Sequence, residues 1–167
     1  MKLLDSWKDD YNNISNKIYQ LDNKVKLIHS ENPNTLDFDF SIIIKGGSYY
    51  ERQVGVPQGT AHLLEHIIAA NPNNLFKTRS EIDNFTYGTR TRPSIDHNAS
   101  TSREYIYIYA HSNFKAWKEV IDFNFARVNY PLDNIEKFIE KERLYLERFK
   151  EGLKKIVILL FSILNSY

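Results

Sequence analysis

Between residues 36 and 45 the chain alternates, Ile43 apart. Leu36, Phe38, Phe40, Ile42 and Ile44 fall on one side, and Asp37, Asp39 and Ser41 on the other. A period of two is the mark of an extended strand with one face buried. The stretch predicts a half-buried strand, ended or bent by Gly46-Gly47. A second alternation, over residues 103–110, sets Tyr105, Tyr107 and Tyr109 against Ile106, Ile108 and Ala110. The three tyrosines are read as packing residues rather than as a recognition surface.

Other segments follow from local signals. Residues 17–29 read as a two-stranded hairpin around Asp22-Asn23. Gly55, Pro57 and Gly59 make a loop, and Thr60 is the expected N-cap of a helix running to about Ala70, before Asn71-Pro72. Residues 86–97 read as a loop. Phe114, Trp117, Ile121, Phe125 and Val128 recur at helical spacing, predicting a helix that ends near Tyr130-Pro131. A last helix is expected from about Asn134 to at least Lys150. Strands and helices mix without strict βαβ alternation, which makes the class α+β.

Composition narrows the functions. A chain of 167 residues can bury a real core as one domain. Its 22 basic and 21 acidic side chains leave a net charge of +1, without the basic stripe that nucleic acid demands. There is no cysteine, so a metal would have to be held by His, Asp or Glu. The start, MKLLDSWKDD, turns acidic before an apolar run develops; no secretory signal is read there, and a cytoplasmic setting is expected. Residues 156–167, IVILLFSILNSY, are densely apolar, but that apolar core is about half of the roughly 20 residues a membrane span needs. The tail is read as a buried strand or helix end, with a surface awaiting a partner, or a truncated end, as the alternative.

Chemistry concentrates in His62-Leu63-Leu64-Glu65-His66. On a helix, residues i, i+3 and i+4 share a face, so His62, Glu65 and His66 project together. Two imidazoles one turn apart can chelate one zinc ion at about 2.0–2.1 Å, and an adjacent carboxylate can take a proton from water made acidic by the metal. With only five histidines in the chain, the pattern arises by chance about once in a hundred such sequences. A helix whose histidines merely satisfy backbone groups or face solvent is the bland alternative.

The flanking residues add a resemblance. Gly46-Gly47-Ser48-Tyr49-Tyr50-Glu51 followed by Gly59-Thr60-Ala61-His62-Leu63-Leu64-Glu65-His66 resembles the pitrilysin, insulin-degrading-enzyme and mitochondrial-processing-peptidase family of inverted zincins. Asn98-Ala99-Ser100-Thr101-Ser102-Arg103-Glu104-Tyr105 matches a second block, and Tyr130-Pro131-Leu132-Asp133 a third. The resemblance covers roughly residues 16–150 and implies a mainly antiparallel sheet with helices packed on one face. It further implies a metallopeptidase domain over 1–155 and zinc held by His62 and His66, with Glu65 as general base. Asn98 and Ala99 would line the substrate channel on an edge strand.

The family supplies a third ligand from a Glu on a later helix, with another Glu seven residues earlier. Glu147 and Glu140 reproduce that pair, giving Glu147 as ligand and Glu140 as its catalytic helper. Glu142 competes for the ligand role, and Asp96 and His97 are outside candidates. The implied activity is zinc-dependent endopeptidase cleavage of peptides held in extended form. Family members usually enclose substrate between paired homologous domains. A second half-domain or homo-oligomer is therefore an expected partner, and a non-catalytic, peptide-binding subunit is the rival reading.

Overall fold

A computed structural model of the chain describes residues 1–70, 73 and 75–128. The expected last helix, its Glu140, Glu142 and Glu147, and the apolar tail 156–167 lie outside the described residues. Two compact units are present, one of Met1–Asp37 and one beginning at Phe38.

The first unit is an antiparallel sheet of β1 (Lys2–Asp9), β2 (Ile14–Gln20) and β3 (Lys26–Glu31), in that order. β2 and β3 are the hairpin expected around Asp22-Asn23. Gln20 pairs with Lys26, and the turn closes with Leu21 N–H donating to the Val25 carbonyl at 2.8 Å. β1 has no clean alternation to announce it, and its register slips between Leu3 and Asp5. The β1–β2 turn is fixed instead by Asp9, whose carboxylate accepts from the Tyr11 and Asn12 amides and from Asn12 Nδ2. Those bonds, the Asn12 side chain foremost, hold the Asp9 carboxyl below its ordinary range.

The second unit contains β4 (Asp37–Lys45), α1 (Ser48–Val54), α2 (Thr60–Ala70), α3 (Arg79–Thr86), β5 (Asp96–Thr101), β6 (Tyr105–Asn113) and α4 (Trp117–Val128). Its sheet runs β4-β6-β5, so the predicted strands β4 and β6 are neighbours, and β5 lies at an edge among the described residues. β5 and β6 are antiparallel, with Ala99 opposite Ile108 and Thr101 opposite Ile106. One face of β6 is completely covered: Ile106, Ile108 and Ala110 are 0% exposed. Ala61, Ile68 and Ala69 of α2 pack on Ile106, Ile108 and Ala99, while Val120 and Phe123 of α4 pack with Ala110, Ile82 and Ile95. The helices thus share one face of the sheet, as the α+β expectation has it. The opposite face carries Tyr105, Tyr107 and Tyr109, with Tyr107 Oη hydrogen-bonded to Ser41 Oγ at 2.9 Å.

Two local features were not read from the sequence. Of the apolar stripe Phe114, Trp117, Ile121, Phe125 and Val128, three members, Phe114, Trp117 and Phe125, stay about half exposed, at 56%, 46% and 53%, while Val128 packs against the core. The inward line is Val120, Phe123, Asn124 and Arg127. Two polar residues can turn inward because the sheet offers them carbonyl oxygens. Asn124 Nδ2 donates to Phe40 O at 2.7 Å, and Arg127 donates to Tyr109 O and Asn98 O, each at 3.2 Å. α3 was not signalled by hydrophobic period. Its start is nonetheless capped: Thr78 Oγ1 accepts from Glu81 N–H, and the Glu81 carboxylate accepts from the Lys77 amide just before the cap.

Ile108 tests this core. Truncating a fully buried Ile leaves a cavity as well as losing transfer energy, so Ile108→Ala is expected to lower unfolding stability by about 2–5 kcal/mol. Urea denaturation of the two proteins measures it; a loss below about 1 kcal/mol would show that β6 is not the centre of the core.

Candidate metal centre on the second helix

The entry to α2 is set by a carboxylate from another helix. Glu51, on α1, is only 5% exposed, and its oxygens accept from the Gly59 amide (Oε2, 3.0 Å) and the Ala61 amide (Oε1, 2.8 Å). A negative charge at a helix N-terminus meets both the unpaired N–H groups and the positive end of the dipole. The Leu63 amide makes the first helical bond, to the Gly59 carbonyl at 2.9 Å, so Gly59 occupies the cap position. Its φ of +95° is one that residues with a Cβ avoid. Thr60 therefore does not cap as expected; its hydroxyl donates to the Pro57 carbonyl at 2.6 Å.

α1 is itself pinned. The Ser48 and Tyr49 amides donate to the Ser102 and Arg103 carbonyls of the β5–β6 turn, at 3.1 and 2.8 Å. Gly47 is needed there because a Cβ would stand 2.5 Å from the Ser102 carbonyl oxygen.

On α2 so held, His62, Glu65 and His66 point their donor atoms together, all within 4.8 Å of one another. The Nε2 atoms of His62 and His66 are 3.1 Å apart. Two nitrogens bound to one tetrahedral ion at about 2.0–2.1 Å stand about 3.3 Å apart, so the donor set fits zinc. Glu65 Oε2 lies 4.0 Å from His62 Nε2, and the Glu65 side chain is 13% exposed. Its carboxylate sits at the seam between α2 and β5, where Thr101 Oγ1 donates to Oε2 at 2.8 Å. The same distance between imidazoles also suits an ordinary N–H···N bond; with the carboxylate converging on them, the three residues make a group that could hold a metal ion.

The remaining expected site residues fall in distinct places. Asn98 is exposed on β5, its Oδ1 accepting from the Ala99 amide at 2.9 Å and its carbonyl engaged by Arg127. The Ala99 methyl is in the core beneath α2, which leaves its backbone as the part that can meet a ligand. His97 is not drawn into the cluster: its ring packs edge-on against Phe123, centroids 4.8 Å apart. Asp96 is exposed at the start of β5. Glu51 and Thr101 stand inside the two motif blocks, yet nothing in those blocks marks them for a role. Thr101 was recoverable from strand alternation, which places it on the helix-facing side with Ala99. A cavity of about 460 Å³ lined by Tyr49, Glu51, Arg52 and Arg103 lies beside α1, away from the histidines.

An antiparallel sheet with a His-x-x-Glu-His helix laid on its covered face makes this an α+β domain. Among solved structures, the crystal structure of pitrilysin matches at a TM-score of 0.65, covering 86% of this chain at 20% identity. The chain has a pitrilysin-like fold, and it corresponds to only 15% of the length of that solved chain. No protein-family model matches the sequence, and no curated protein matches it. No helix among the described residues is long and apolar enough to cross a membrane.

Burial, then the Arg127 charge, lowers the His97 pKa to about 4. Against an ordinary value near 6.5, the unfolded chain binds a proton that the folded imidazole refuses. The His97 contribution to stability is thus fully present above about 6.5 and is lost as pH falls towards about 4. Urea midpoints at pH 7 and pH 5 should differ less in His97→Leu than in the parent; equal differences would contradict this.

A second outcome concerns the helix start. Glu51→Ala strands two amides at the buried end of α2 and is expected to destabilise the fold by about 1–3 kcal/mol. Thermal unfolding measures it, and an unchanged melting temperature would contradict the capping role.

Proposed function

We propose that the chain carries the zinc-binding half-site of a metalloendopeptidase, within a domain spanning residues 1–155. The observation that carries the reading is the 3.1 Å convergence of His62 Nε2 and His66 Nε2 beside the Glu65 carboxylate. His62 and His66 would hold the ion, with Glu147 as third ligand, Glu142 as its competitor and Glu140 supporting the ligand helix. Bound there, the ion would polarise a scissile carbonyl and make water acidic near neutral pH. Glu65 accepts a proton from the attacking water as its oxygen bonds to the carbonyl carbon. When the C–N bond breaks, Glu65 returns that proton to the leaving amine. The peptide would lie extended along the edge strand β5, against the backbone of Asn98 and Ala99. An amide such as that of Ala99, met by a side chain of its own strand, is open to exchange that partner for a substrate carbonyl.

The alternative is a half-site subunit that binds peptide, or a partner domain or second copy, and is inactive until joined to it. The region matched in pitrilysin is 15% of that solved chain. Metal analysis and a quenched peptide separate the two. The enzyme reading expects about one zinc per chain. Glu65→Gln should keep the zinc but lose at least about 100-fold in hydrolysis, the usual contribution of a general base. Full activity in Glu65→Gln removes Glu65 from the mechanism, and a metal-free chain removes the site. Zinc without turnover, with activity appearing on addition of a second-half protein, establishes the half-site reading instead.

A further inference from the structure

We propose that Thr101 is a positioning residue for Glu65, its hydroxyl holding the carboxylate oxygen nearest His62 and so fixing the orientation of the acid beside the imidazole pair. The catalytic consequence rests on the hydrolase reading above; the contact itself does not.

Glu65 occupies the sheet-facing line of α2, in step with Ala61 and Ile68, both of which pack into the apolar cluster over β6. A carboxylate at such a position would normally be paired by a cation or several amides. Among the described residues its hydrogen-bond donor is Thr101, at 2.8 Å on Oε2. The Ala61 carbonyl, at 3.4 Å, is the weaker alternative for the same hydroxyl proton. A hydroxyl–carboxylate bond is charge-assisted, and it takes the proton to the acid. One oxygen is thereby occupied, and rotation of the carboxylate is restrained.

Thr101 itself stands on firm ground. It pairs with Ile106, which is 0% exposed, and the next residue begins the turn on which α1 is anchored. Its branched side chain has few rotamers, so the hydroxyl is delivered in one direction. Serine keeps the donor with more freedom, whereas valine keeps the shape and removes the donor.

The test uses the full chain loaded with zinc and a quenched peptide. Displacing a catalytic group by about an ångström can lose about 100-fold in rate. Thr101→Val is therefore expected to lower kcat by about 10- to 100-fold with KM and zinc content unchanged, and Thr101→Ser to restore most of it. An undiminished kcat in Thr101→Val overturns the proposal, as does an equal loss in Thr101→Ser. NMR gives a readout independent of turnover and of the valine variant folding. The Thr101 hydroxyl proton should be visible and slowly exchanging, and the Glu65 carboxyl carbon should shift in Thr101→Val and not in Thr101→Ser. A hydroxyl proton exchanging freely with water overturns the proposal. A parent protein that binds zinc without cleaving peptide defeats the hydrolase reading and leaves these resonances to judge Thr101.

Discussion

The carboxylate of Glu51 at the start of α2 is the contact on which the candidate centre depends. It joins two neighbouring helices, and it does so at the end where three or four amides need acceptors. α1, which delivers that carboxylate, is tied by its own first amides to the turn between β5 and β6. From that turn the chain runs straight back into Thr101, which touches Glu65 on α2. The elements around the histidines therefore form a closed circuit of hydrogen bonds: turn to α1, α1 to α2, and α2 back to the strand entering the turn. A circuit of that kind fixes the direction of the imidazoles from both ends of the helix segment that carries them.

Beneath this circuit the apolar core decides which face of each element is turned inward. β6 places Ile106, Ile108 and Ala110 beneath the helices and its tyrosines on the far side. α2 lies on that covered face with Ala61, Ile68 and Ala69, so Glu65 is drawn to the seam while His62 keeps solvent access. One helix thus carries a sheltered acid beside an exposed His62 and a partly buried His66.

What the sequence disclosed depended on the kind of signal. β4, β6 and the β2–β3 hairpin carry their period or their turn residues openly, and the H-x-x-E-H spacing makes its own case through helix geometry. β1 and α3 were silent to periodicity because one bends at a register slip and the other is two turns long with a polar composition. The buried face of α4 was not legible because hydrophobicity is a poor guide where carbonyl oxygens await donors: Asn124 and Arg127 turn inward while Trp117 and Phe125 stay about half exposed. Glu51 and Thr101 were hidden for a related reason. Their importance lies in partners 8 to 36 residues away, and a linear pattern does not display such pairings.

The guanidinium of Arg127 has a consequence for how such a chain comes to order. It reaches the backbone of both β5 and β6, through the Asn98 and Tyr109 carbonyls, and rests over Phe123 at 5.4 Å. During synthesis the hairpin of those two strands leaves the ribosome well before residue 127 does. Until α4 follows, the strand that borders Glu65 has its ladder but lacks its clamp. The acid, the histidines and their supporting hydroxyl are all translated early, yet their final alignment waits for a residue that touches none of them.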